Sequence, residues 1–156
     1  MWFRGSGIIE YDPIRQGINS TDSNGRQNRD KWWVIVRVNS EICRYYRWWI
    51  SKEILNPLGF ERRKDAIRNG FHFIDLPSWG PHISVLRGER PRDDLMYLWK
   101  KYDGRRVEFD YSHKIECEGD YFFVEVRSDF LTNIRKELEL PIGYRFHITV
   151  GRMWRD

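Results

Sequence analysis

One six-residue pattern occurs twice in the chain and limits how it can fold. HISVLR at 82–87 and HITVGR at 147–152 share histidine, isoleucine, a hydroxyl residue, valine, one variable position and arginine, and their histidines lie 65 positions apart. Both segments alternate as a β-strand does. On a strand, residues i and i+2 point the same way, about 6–7 Å apart. His82 and Ser84 therefore project side by side, as do His147 and Thr149, while Ile83, Val85, Ile148 and Val150 turn to the core. Each copy closes a strand–helix–strand unit. The first unit is strand 32–39, helix 40–55 and strand 82–87; the second is strand 121–127, helix 128–140 and strand 146–153. This uneven alternation, with a hairpin in the middle, does not suit a wholly parallel sheet, and the expected class is α+β.

The 156 residues suit a single domain spanning 1–156, with an N-terminal strand plus a flexible loop over 1–31 and a core over 32–154. Trp2 to Tyr11 reads as a strand interrupted by Gly5, Ser6 and Gly7, and 12–31 as a long polar loop. Another long connection, 56–81, carries Arg62, Arg63, Lys64 and Arg68, with FHFID as a short strand inside it. A helix is expected from Arg92 to Tyr102, because Asp93 and Asp94 come early, Lys100 and Lys101 late, and Gly104 follows as a cap. The alternating strand 107–117 turns at Gly119–Asp120 into 121–127, and Ser128 caps a helix with Leu131, Ile134 and Leu138 on one stripe.

Net charge is +4, but 20 of the 27 basic residues are arginine, whose planar fork grips phosphate in two places and stacks on bases. The longest apolar run, Trp32 to Val36, has five residues against the roughly 20 that span a bilayer, so no membrane association is expected. With no export signal read at the start, the expectation is a cytoplasmic protein with Cys43 and Cys117 reduced. Two imidazole–hydroxyl pairs facing one pocket suit a phosphodiester. One imidazole takes a proton from the attacking oxygen and the other gives one to the leaving oxygen, and an unperturbed pKa near 6.5 lets histidine do either. Ser84, Thr149, Arg87 and Arg152 are the candidate phosphate ligands. Strict alternation puts both arginines on the core side, so reaching the phosphate requires a strand end or a bulge, which Gly151 allows beside Arg152, whereas Arg87 has Leu86 before it and Gly88 after. Parity selects Trp33, Arg37, Tyr121 and Phe123 for base stacking, Trp79 either walls the pocket or anchors the PSWGP turn, and His113 falls on a buried structural face. No metal, cofactor or obligatory protein partner is implied.

The paired H-x-S/T-x-x-R elements, each closing a strand–helix–strand unit, resemble the two-histidine phosphoesterase superfamily over roughly Trp32 to Trp154. This superfamily includes RNA 2′,3′-cyclic phosphodiesterases (the "2′-5′ RNA ligases"), 2′,5′-oligoadenylate phosphodiesterases and phage enzymes that destroy cyclic-oligonucleotide signals. The resemblance implies a bilobal α+β fold, with two antiparallel sheets forming a central groove and helices packed outside. It also implies His82 and His147 as the acid–base pair, with Ser84 and Thr149 on the phosphate. The expected activity is metal-independent cleavage of RNA-type phosphodiesters: a 2′,3′-cyclic phosphate, a 2′-5′ linkage or a small oligonucleotide. The alternatives are a viral-type nuclease of cyclic di- or trinucleotides and a non-catalytic RNA-binding module.

Overall fold

The structure is a computed structural model that describes residues 1–14, 21–50, 52, 71–74, 80–119 and 121–155, with the backbone alone at 71–74 and 153–155. Its elements are β1 (Trp2–Tyr11), β2 (Trp33–Val38), α1 (Ser40–Ile50), β3 (Phe71–Ile74), β4 (His82–Arg87), a 3-10 helix (Asp93–Leu98), β5 (Arg106–Glu118), β6 (Tyr121–Arg127), α2 (Asp129–Glu137) and β7 (His147–Arg155).

The strands run β3-β7-β4-β2-β1-β5-β6, and β6 pairs again with β7, closing a six-stranded antiparallel barrel with β3 attached outside the ring. The expectation of a bilobal α+β fold with two separate sheets is therefore corrected: the protein is mostly β. Two elements abolish the groove between sheets. β1 pairs with β2 through Gly7–Tyr11 and with β5 through Trp2–Ile8, joining the halves along one side. β4 meets β7 at Ile83↔Ile148 and joins them along the other. A closed sheet leaves fewer unpaired backbone edges than two open ones.

β1 is continuous, so the expected interruption at Gly5–Gly7 is also corrected. Gly7 is there because the chain needs room. A Cβ on Gly7 would stand 2.3 Å from the Arg37 carbonyl oxygen and 2.6 Å from a Val36 methyl. A glycine inside a strand often marks such close backbone approach at a barrel corner.

One face of the strands forms the core: Val34 and Val36, Ile83 and Val85, Phe122 and Val124, Ile148 and Val150 are all buried. The helices complete that core. Asn39 caps α1, its Oδ1 accepting from Glu41 N at 2.8 Å, and Cys43, Tyr46 and Ile50 form the buried stripe. Ser128 caps α2, accepting from Leu131 N at 3.3 Å, above the stripe Leu131, Ile134 and Leu138. Each helix leans on the strand of the other unit. α1 packs on β7, where the Cys43 thiol meets the Thr149 carbonyl at 3.6 Å, and α2 packs on β4.

The helix expected over 92–102 is instead a 3-10 helix over Asp93–Leu98, and none of its residues is buried. An α-helix of that length draws most of its stability from a buried face, which this segment lacks. Side chains hold the segment: Trp99 Nε1 donates to Asp12 Oδ2 at 3.2 Å, and its ring sits edge-on to Tyr11 at 5.0 Å. Among the described residues no helix is long and apolar enough to cross a membrane.

Substituting Gly7→Ala is expected to destabilise the barrel by about 1–3 kcal/mol, because the clash is with backbone. The control Gly143→Ala, where nothing lies within 4 Å, should stay within about 0.5 kcal/mol. Chemical denaturation midpoints of both variants check the contrast.

Candidate functional site

Both motifs carry the same register shift. Between β2 and β4 the pairs are Arg37↔His82, Val36↔Ile83 and Ile35↔Ser84, then Val34↔Leu86 and Trp33↔Arg87, so Val85 is the extra residue. Between β6 and β7 they are Glu125↔His147, Val124↔Ile148 and Phe123↔Thr149, then Phe122↔Gly151 and Tyr121↔Arg152, so Val150 is extra. In each copy the motif valine forms a β-bulge. One extra residue reverses the alternation beyond it, and histidine, hydroxyl and arginine come to share a face. The obstacle that strict parity set for Arg87 and Arg152 is removed in both places. The same pairings put two consecutive residues on the core side, Val85–Leu86 and Val150–Gly151, all buried.

The copies meet at Ile83↔Ile148. On that register His82 flanks Thr149 and Ser84 flanks His147, with the histidines on the diagonal, where residues lie about 7–8 Å apart and their Cβ atoms somewhat closer. A pseudo-twofold axis runs between the two isoleucines. Each imidazole is anchored in the same way, through Nδ1 on the carbonyl two residues upstream: His82 on Gly80 O at 2.8 Å and His147 on Arg145 O at 3.3 Å. Each also sits against an aromatic ring, with centroids 5.4 Å apart, Trp33 for His82 and Phe123 for His147. Donation from Nδ1–H to a carbonyl leaves Nε2 of a neutral ring as the acceptor.

Trp33 is the floor of the site. It is 1 % exposed, donates Nε1–H to Ser84 Oγ at 3.0 Å, and is covered by the Arg87 guanidinium 4.2 Å from its ring. That placement corrects its expected role as a stacking platform. Arg37 stands beside His82 and donates Nε–H to Glu10, so it too is engaged within the protein. Arg152 lies over Tyr121 at 5.2 Å, and its buried Nε–H has no partner among the described residues. Trp79, His72's side chain and most of the 56–81 connection lie outside what is described. His113 is exposed with Nδ1 on Met1 O at 2.7 Å, which corrects its buried assignment and places it at the β1–β5 edge.

The two halves differ in charge. Arg37 faces His82, whereas Glu125 faces His147. The pKa of His82 lies below the usual 6.5, first because burial disfavours its cation; the Gly80 carbonyl opposes this, and repulsion from Arg37, Arg87 and His147 adds to it. The neutral, proton-accepting ring is therefore favoured at His82.

A cavity of about 610 Å³ opens beside the second motif, lined by Tyr121, Phe123, Tyr144, Glu125, His147 and Thr149 among others. Tyr121 is 49 % exposed, which leaves its ring accessible. Sequence parity selected Tyr121 and Phe123 but missed Tyr144 and Glu125. Glu125 alternates with residues already placed on the core face and was discoverable; Tyr144 lies before the strand, where alternation gives no guidance. Gly80 was also missed, although a glycine two residues before a motif histidine was a usable signal. Among the described residues no three His, Cys, Asp or Glu side chains gather as a metal site. No family model matches the chain, and no curated protein or solved structure matches it either.

Gly80 adopts φ +74°, a left-handed conformation costing other residues about 1–2 kcal/mol. Gly80→Ala is expected to lower the melting temperature and, by displacing the carbonyl that favours the His82 cation, to lower the His82 pKa further. NMR titration of the ring checks this; an unchanged titration would mean the carbonyl does not set it.

Proposed function

We propose that this protein is a phosphodiesterase that cleaves RNA-type phosphodiesters by paired-histidine acid–base catalysis, as the resemblance of its two motifs to two-histidine phosphoesterases implies. The observation that carries the reading is the doubled bulge, which gathers His82, Ser84 and Arg87 with His147, Thr149 and Arg152 on one face. Two strand histidines with chance neighbours have no reason to share a bulge at the same motif position.

The chemistry follows from the placement. The phosphorus lies between the two Nε2 atoms. His82, biased toward its neutral form, takes the proton of the attacking hydroxyl as the new P–O bond forms. His147 gives a proton to the leaving oxygen as the old P–O bond breaks. For a terminal 2′,3′-cyclic phosphate the attacker is water and a phosphomonoester results. For an internal linkage it is the neighbouring ribose hydroxyl, and a cyclic phosphate results. Arg87, Arg152 and the Ser84 and Thr149 hydroxyls take the charge on the non-bridging oxygens. No step in this scheme calls on a metal. The attached base enters the cavity among Tyr121, Phe123 and Tyr144. Glu125 would repel a phosphate there and accept from a base amino group instead.

The test is incubation with a 2′,3′-cyclic nucleotide, a 2′-5′ oligoadenylate and a cyclic dinucleotide panel in chelator, with products resolved. Turnover of at least one is expected, and His82→Ala and His147→Ala should each lose about 10²-fold or more. If every substrate stays intact for hours, the enzyme reading fails; salt-sensitive RNA binding without product would then mark a binding module.

The pH profile has a definite sign. Protonated His82 cannot accept a proton, so kcat/KM should fall as pH drops through a pKa below 6.5. Arg37→Met removes a cation facing that ring and should move this acid limb upward. A limb that stays in place, or moves down, would show that Arg37 does not act on the base.

A further inference from the structure

The bulge that turns Arg87 into the site is held from behind by a buried cation. We propose that Arg135 of α2 is a positioning residue that fixes this bulge and thereby the Arg87 guanidinium; the proposal rests on the phosphodiester reading above. Arg135 is 2 % exposed. Its Nη1 donates to the Val85 carbonyl at 2.9 Å and to Glu89 Oε1 at 2.9 Å, and Nη2 donates to Glu89 Oε2 at 3.1 Å. Its Nε donates to the Pro141 carbonyl at 2.8 Å, and the Tyr144 ring lies 4.5 Å from the guanidinium carbon.

Val85 is the residue with no counterpart on β2, and Glu89 lies two positions past Arg87. Arg135 thus grips the chain on both sides of Arg87. Stability alone does not explain a guanidinium buried here against a partly exposed Glu89, since well-packed apolar residues often serve as well or better at buried positions. α2 already has Leu131, Ile134 and Leu138 against the core. What a guanidinium adds is several directed donors in one plane, and these close on the carbonyl of the bulged residue. Through Tyr144 the same side chain also backs the cavity beside His147. At the second motif the Cys43 thiol donates instead to the Thr149 carbonyl, one position before the bulged Val150.

The test is a double-mutant cycle in the full-length chain: Arg135→Met, Arg87→Ala and the pair, with Arg135→Lys as a second probe that keeps the charge and loses the fork. Thermal melts, kcat and KM on the best panel substrate, and hydrogen exchange of segment 82–89 are read together. Arg135→Met should melt cooperatively, speed exchange across 82–89, and lower kcat/KM roughly tenfold. In the Arg87→Ala background the same change should cost almost nothing more, and Arg135→Lys should restore part of the loss. An equal loss with and without Arg87, or unchanged exchange at 82–89, overturns the proposal. If Arg135→Met does not fold, Arg135→Lys carries the same two comparisons. If the wild type turns over nothing on the panel, the functional reading falls, and exchange alone still decides whether Arg135 holds the bulge.

Discussion

A single backbone pairing, Ile83 on β4 against Ile148 on β7, makes one site of two half-sites. Both side chains are fully buried, so the pairing is sealed from the core side, where burying each is worth about 1.5–3 kcal/mol. The opposite face carries the imidazoles and hydroxyls. Apolar and polar functions are separated by the strand's own alternation, and neither compromises the other. Everything that distinguishes the site follows from this meeting point: the diagonal histidines, the flanking bulges and the aromatic rings behind each imidazole.

The bulges show how a sheet presents three polar side chains on one face at positions one, three and six of a motif. A regular strand can align the first two only. Inserting the valine shifts the phase, and the arginine arrives on the same side. The surroundings then break the symmetry. Arg37, paired with Glu10, stands beside His82, while Glu125, 3.8 Å from Arg145, stands beside His147, so the two equivalent frames carry different charged neighbours. A near-symmetric pair of motifs thus has different neighbours on its two sides.

Much of the site was legible in the sequence because period-two alternation is a local property. It placed His82 beside Ser84 and His147 beside Thr149, and it showed that Arg87 and Arg152 need a strand end or a bulge to join them. It selected Tyr121 and Phe123 for the same reason. Closure of the barrel was not legible, because alternation says which way a side chain points and not which strand lies alongside. Gly5 and Gly7 were read as breaks, whereas they admit a neighbour: a Cβ on Gly5 would lie 2.9 Å from the Phe109 ring. Trp33 was assigned the right face, but the guanidinium that covers it comes from 54 positions away. Arg135 gave no local sign of burial, since a charged residue beside Ile134 on a helix ordinarily meets solvent.

The exchange of helices between the two units has a consequence for how such a chain is put together. Because α1 rests on β7 and α2 on β4, neither half shelters its own helix, and a fragment holding one motif would expose apolar surface. Each motif depends on the other unit's helix for cover, which ties the two half-sites into one cooperative body.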